Sequence, residues 1–206
     1  MKLLGAACAI LFTVGLRSDM RSALGDSAFA VSQPVFDTLT PIDSLPSSQQ
    51  ITTVFNNSSS EALFNLQQIA NPTGPMDRGV QLRAVRALIH YCASSPCADG
   101  DPAHVTLKDI ATTPVYRDAR VGSDLLVLRT ALEALGALKV PTDISILVPQ
   151  LQHPSRDIRA AVARALRDLG NTQAIPPLRA RYNVEQEAQV QTAISDALRV
   201  LGQPAQ

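Results

Sequence analysis

The chain has 206 residues, 46% of them apolar, and 18 basic residues balance 18 acidic ones to a formal net charge of zero. That is enough apolar material for one well-buried domain, and the neutral balance supplies no whole-protein field to draw nucleic acid or a membrane surface. Trp is absent and aromatics make up 4%, so the core must be built from Ala, Leu, Val and Ile, without the stacking side chains of a nucleic-acid binder.

Residues 1–30 read as a targeting segment. Lys2 precedes an apolar run from Leu3 to Leu16, and Ala28-Phe29-Ala30 offers a small-x-small cleavage site before Val31. The run of 14 residues is short of the ~20 needed to span a bilayer. Export to a periplasmic or extracellular compartment is expected, with an uncleaved N-terminal anchor as the alternative. Residues 31–57 are rich in Ser, Thr, Gln and Pro, with Pro34, Pro41 and Pro46 spaced through them. Having no sustained period, they read as a linker, although Val35, Phe36, Leu39, Ile42, Val54 and Phe55 give them apolar groups to dock on the first helices.

From residue 58 to 206 the pattern predicts helices in pairs. The first runs from Ser60 to Ala70, with Leu63, Leu66 and Ile69 inward, and stops at Asn71-Pro72. Its partner runs from Asp77 to Ala93. Asp101-Pro102 starts a third helix as N-cap and first-turn proline, and residues 113–122 follow as a loop. Ser123 can cap a helix to Gly136, Thr142 one over Asp143 to Leu151, and Thr172 one to Tyr182. Longer helices cover Arg156 to Leu169 and Glu187 to Leu201.

The last of these helices repeat one another. Ile158, Ala161, Val162, Ala165, Leu166 and Leu169 match Val190, Ala193, Ile194, Ala197, Leu198 and Leu201, and Val127, Leu128, Ala131, Leu132 and Leu135 precede them in the same order. The steps of three and one mark one face of an α-helix, so Val162 and Ile194 are expected to be buried at equivalent positions. Alanines let neighbouring helices approach closely. Gly136, Gly170 and Gly202, each after a Leu, suit the left-handed position that ends a helix. Two-helix units that cannot bury their own faces stack into an α-solenoid, here of about four helical hairpins.

The stretch Leu151-Gln152-His153-Pro154-Ser155-Arg156-Asp157-Ile158-Arg159, followed by Ala160 to Gly170, resembles the HEAT-like repeat in the short form also found in phycobilisome lyases. That family's pattern runs Leu, Asp, Pro, then Val-Arg, Ala, Ala-Leu and Leu-Gly. Ile158-Arg159 takes the place of Val-Arg, and the resemblance implies that Arg159 bonds to acidic groups between neighbouring repeats. His153 stands where the family prefers Asp, which puts that polar ladder in question. Glu185 fits the acidic position of the last repeat, where Gln191 replaces the Arg. The resemblance also implies that the second helices of successive pairs line the working side.

One local cluster could carry chemistry: His90, Cys92, Cys97 and His104. In an exported chain Cys92 and Cys97 most simply form a disulfide. Two free thiols, or a Zn²⁺ site whose spacing matches no recurrent pattern, are the alternatives. His153 reads as a solvated turn residue. There is no Gly-rich phosphate loop, nucleophile elbow or His-Glu-x-x-His, so no catalytic set, metal or cofactor is expected. Arg156, Arg164 and Arg167 occupy outward positions of a second helix. They are the candidate binding residues for an acidic protein partner, because guanidinium groups pair with carboxylates through two hydrogen bonds. The bland alternative is a solvated helix face. The expected function is a non-enzymatic, exported protein-interaction module that binds no nucleic acid. The alternative is a lyase-like enzyme or accessory protein, which requires a pocket uniting His90, His104 and carboxylates.

Overall fold

The structure, a computed structural model, describes residues 33–41 and 45–202, so the targeting expectations for residues 1–30 lie outside the described residues. The described residues form helices and no strand: α1 (Gln33–Leu39), α2 (Ser48–Thr53), α3 (Ser59–Ala70), α4 (Arg78–Ala87), α5 (Pro102–Thr112), α6 (Pro114–Arg117), α7 (Gly122–Leu138), α8 (Ile144–Gln150), α9 (Arg156–Leu169), α10 (Ile175–Tyr182) and α11 (Ala188–Leu201). Four packed pairs follow in order: α3 with α4, α5 with α7, α8 with α9, and α10 with α11. The second helices α4, α7, α9 and α11 also pack on one another in sequence, making a continuous layer.

Two cross-helix bonds fix the direction within that layer. Arg156 near the start of α9 bonds Glu187, 31 residues on, and Arg167 near its end bonds Asp196, 29 residues on. A nearly constant separation means that α9 and α11 run parallel. Being flanked on both sides, α9 buries more than one stripe: Ile158, Ala161, Val162, Ala165, Leu166 and Leu169 are buried, and so are Ala160 and Ala163. Val162 and Ile194 are both fully buried. On α11, one repeat further on, Thr192 and Ser195 stand in place of Ala160 and Ala163, and both are exposed. The side of α11 turned away from α9 is therefore polar where α9 is apolar.

The glycines that follow leucine do three different things. Gly170 ends α9 in the left-handed conformation, at φ 75°, as expected. Gly136 does not end its helix: α7 continues to Leu138, and Lys139 takes the left-handed cap at φ 58°. A Cβ on Gly136 would lie 2.5 Å from both the Cα and the carbonyl oxygen of Ala165, so glycine is there for the close approach of α7 to α9. Gly202 follows α11 with φ −83° and needs no left-handed freedom.

Other local expectations also change. Residues 31–57 are not a bare linker: α1 and α2 form there, and Val35, Leu39, Ile51 and Phe55 are buried in the core. Ser47 and Gln50 close a capping box at the start of α2. The Asp77–Ala93 helix is α only to Ala87, then tightens into a 3-10 turn over Leu88–Tyr91. The loop at 113–122 contains α6, whose Tyr116 is buried and accepts a hydrogen bond from Gln81 at 3.1 Å. Neither Ser123 nor Thr142 nor Thr172 caps a helix. α7 already starts at Gly122, Thr142 lies inside a 3-10 turn and donates to Asp99, and Asn171 provides the side-chain cap before Thr172.

Candidate docking face on the second helices

Two of the three seams between second helices, α7/α9 and α9/α11, carry arginine pairs that share a carboxylate, whereas α4/α7 carries the single Arg78–Asp124 pair at 2.7 Å. At α7/α9, Arg129 and Arg164 both donate to the same oxygen of Glu133, each at 3.1 Å. At α9/α11, Arg167 and Arg199 donate to the two oxygens of Asp196 at 2.7 and 2.6 Å. Arg167 also reaches Asp168 at 2.9 Å. Arg167 first, then Arg199, hold the Asp196 carboxyl below the usual carboxylate range. Solvent screens solvent-accessible pairs of this kind, so they do not explain the fold.

These groups surround shallow depressions that meet at the exposed Ala137. One, of about 700 Å³, is lined by Ala137, Lys139, Arg167, Asp168, Asp196 and Arg199. A smaller one of about 160 Å³ lies over Arg86, Thr130, Glu133, Ala134 and Ala137. Among the described residues that line these depressions or pair with their carboxylates, the six cations Arg86, Arg129, Lys139, Arg164, Arg167 and Arg199 accompany the three carboxylates Glu133, Asp168 and Asp196. Arg86, Arg167 and Arg199 lie in the last turns of their helices, where the negative end of the helix dipole tolerates cations without one carboxylate apiece. The excess of positive charge is open to solvent.

The three arginines expected to bind together are not one patch. Arg156 sits at the opposite end of α9 from Arg167, about 16 Å away along the helix, and pairs with Glu187 at 3.4 Å. Arg164 turns to α7 and Arg167 to α11. Arg129, Glu133, Asp196 and Arg199 belong to the face and were missed by sequence reading. Their signal was there to find: Glu133 and Arg164, and Arg167 and Asp196, are opposite charges separated by about one repeat.

At the N-terminal end of the layer a different cluster forms. Arg159 is buried and makes two bonds to Glu185, at 2.8 and 2.9 Å, while its Nη1 donates to the carbonyls of His153 and Pro154. Glu185 also accepts from Arg181 and from the backbone N–H groups of Gln186 and Glu187. Chiefly through Arg159, its pKa is lowered to about 2. The ladder questioned because of His153 is therefore made between these repeats. His153 is not a solvated turn residue. It is buried, and its Nδ1 accepts the N–H of Ser155 at 3.1 Å, as a Glu185 oxygen accepts the N–H of Glu187. Burial holds its imidazole below the usual range, which keeps that nitrogen free to accept.

The histidine and cysteine cluster separates in space. Cys92 and Cys97 form a disulfide with a Cα–Cα distance of 5.4 Å, and the Cys97 N–H donates to the Leu138 carbonyl at 3.1 Å. This ties the loop to the end of α7. His104 is fully buried, with Nε2 at 2.8 and 3.0 Å from the Asp143 carboxylate oxygens. Burial pushes the Asp143 carboxyl up, and the His104 bond opposes that shift. His90 instead is exposed and lines a separate depression of about 670 Å³ with Ser48, Thr52, Ser59, Ser60 and Tyr91. His104 is not among the residues of that depression.

Residues 113–199 match the family model described as HEAT repeats. The matched part runs from the start of α6 through most of α11. It does not single out the phycobilisome-lyase type. No curated protein matches the chain. The paired helices, the packing of the second helices on one another and this match identify residues 113–199 as HEAT-like repeats.

Proposed function

We propose that the chain is a non-enzymatic protein-interaction module that docks an acidic partner surface on its second-helix layer, and that it works after export. HEAT repeats commonly mediate protein–protein interaction. The observation that carries the acidic partner is an excess of cations at two successive seams: Arg129 and Arg164 share Glu133, and Arg167, Arg199 and Lys139 stand against Asp168 and Asp196. It leaves guanidinium donors that a partner carboxylate would satisfy. The disulfide between Cys92 and Cys97 supports an oxidising compartment. Against the lyase-like alternative stands the placement of the two histidines. One is enclosed against Asp143 and the other opens on a different depression.

The test is capture from the native extract by the immobilised protein, comparing wild type with the Arg164→Gln/Arg167→Gln/Arg199→Gln variant at rising salt. The expected result is a partner with an acidic surface, lost in the variant and on adding salt, with the melting temperature nearly unchanged. Capture that survives both the substitutions and high salt contradicts the reading.

A further inference from the structure

We propose, resting on the acidic-partner reading above, that this face reads an extended acidic segment whose carboxylates recur every third residue, in polyproline-II conformation, lying across the second helices. The two cationic nodes straddle α9: Arg164 and Arg129 against Glu133 on one side, and Arg167, Arg199 and Lys139 against Asp168 and Asp196 on the other. Neighbouring helix axes lie about 8–10 Å apart. Arg164 and Arg167 add an axial offset of three residues, about 4.5 Å. The nodes are thus roughly 10 Å apart. Beyond α7, Arg86 adds a third cation over the α4/α7 seam.

A polyproline-II segment advances about 3.1 Å per residue with three residues per turn. Its residues i and i+3 therefore share one face at about 9 Å spacing, which matches one step between nodes. A β-strand cannot do this, because its residues i and i+3 point to opposite sides. A docked helix would need a groove lined with apolar anchors. The furrow offers little of that kind: its apolar floor is Ala134 and Ala137, with Ile89 and Val200 at its two ends.

The probes are three fluorescent peptides: one of four Glu-Pro-Pro units, an isomer of the same composition with its glutamates contiguous, and a Gln-Pro-Pro control. Each is titrated into the purified protein at low and at physiological salt. The periodic peptide should bind roughly tenfold tighter than its isomer, the worth of one more charge-assisted contact, and the control should not bind. Arg164→Gln/Arg167→Gln should erase the difference. Arg156→Gln, at the far end of α9, should leave it intact, with helical signal preserved in both variants. Equal affinity for the two acidic peptides would overturn the spacing while leaving an acidic partner in place. No binding of either would bring down the acidic reading as well. A single-stranded oligonucleotide that binds more tightly than the periodic peptide would assign the face to phosphates and overturn the proposal.

Discussion

The two halves of the array hold themselves together by different means. From α7 onward the contacts are periodic: α7 closes on α9 at Gly136, alanines line the seams, and arginine–carboxylate bonds recur at separations of about one repeat. Before α7 the contacts are single and unrelated. Gln81 donates to the Ala70 carbonyl and to Tyr116, Gln67 reaches Thr106, Thr52 meets Tyr91, a disulfide closes one loop, and His104 is enclosed against Asp143. Periodic contacts can be extended or varied without changing the rest, which leaves the outward positions of the rear second helices open to a partner. The front half uses its polar groups to pin irregular segments in place.

Glycine gives the largest contrast between the halves. Gly136→Ala drives a methyl into the Ala165 backbone, so it should cost about 3 kcal/mol and lower the melting temperature by roughly 10 °C. In an open helix the same change would stabilise by about 1 kcal/mol. Gly79→Ala in α4 meets only the ends of the Asp77 and Arg83 side chains, at 3.2 and 3.3 Å, and should stay within about 0.5 kcal/mol of wild type. Thermal melts of the two variants decide it. Equal effects would mean that the rear seam is no tighter than the front.

The buried Arg159–Glu185 bond makes the rear half acid-sensitive. Glu185 ionises at about 2 in the fold against an ordinary 4.5. A lowered folded pKa gives stability that is fully present above about 4.5 and is lost as pH falls toward 2. Glu185→Gln should cost about 2 kcal/mol at neutral pH, since the amide oxygen can still accept one bond. Its deficit against wild type should shrink across that acid window in melts taken at stepped pH. A deficit that stays constant would show that the charge is not what Arg159 holds.

The front half should answer to its disulfide instead. Cys92→Ser/Cys97→Ser removes a closed six-residue loop worth about 2 kcal/mol at most in the chain-entropy model. Because Cys97 also bonds the end of α7, amide exchange should quicken in α5 and the Leu88–Tyr91 turn, while α9 stays protected. Faster exchange spread evenly through α9 and α11 would mean that the two halves unfold as one.

The sequence made the rear half legible because one physical constraint repeats there. The spacing of Ile158, Ala161, Val162 and Leu166, copied at Val190, Ala193, Ile194 and Leu198, has one structural solution. What it hid were contacts that no local pattern encodes. Gly136 looked like a terminator because it follows Leu135, yet its role depends on Ala165, which lies on another helix. His153 looked solvated beside Pro154, yet burial and the Ser155 N–H make it a stand-in for a carboxylate. The proposed docking face is half visible: the arginines of α9 stand out in the sequence, but their grouping depends on Glu133 and Asp196, which only the stacking brings to them. The front helices α1 and α2 escaped because a few buried apolar side chains, without a period, are enough to dock a short helix.

The most direct test of where the molecule works is hydrogen–deuterium exchange of the protein with its captured partner bound. The front depression around His90 and the rear face around Ala137 have similar volumes, about 670 and 700 Å³, so size alone does not choose between them. Protection on binding is predicted in the C-terminal halves of α7, α9 and α11, covering Glu133 to Lys139, Arg164 to Asp168 and Asp196 to Val200. Protection confined to Ser48–Ser60 and His90–Ala93, with those helices unchanged, would contradict a rear docking face.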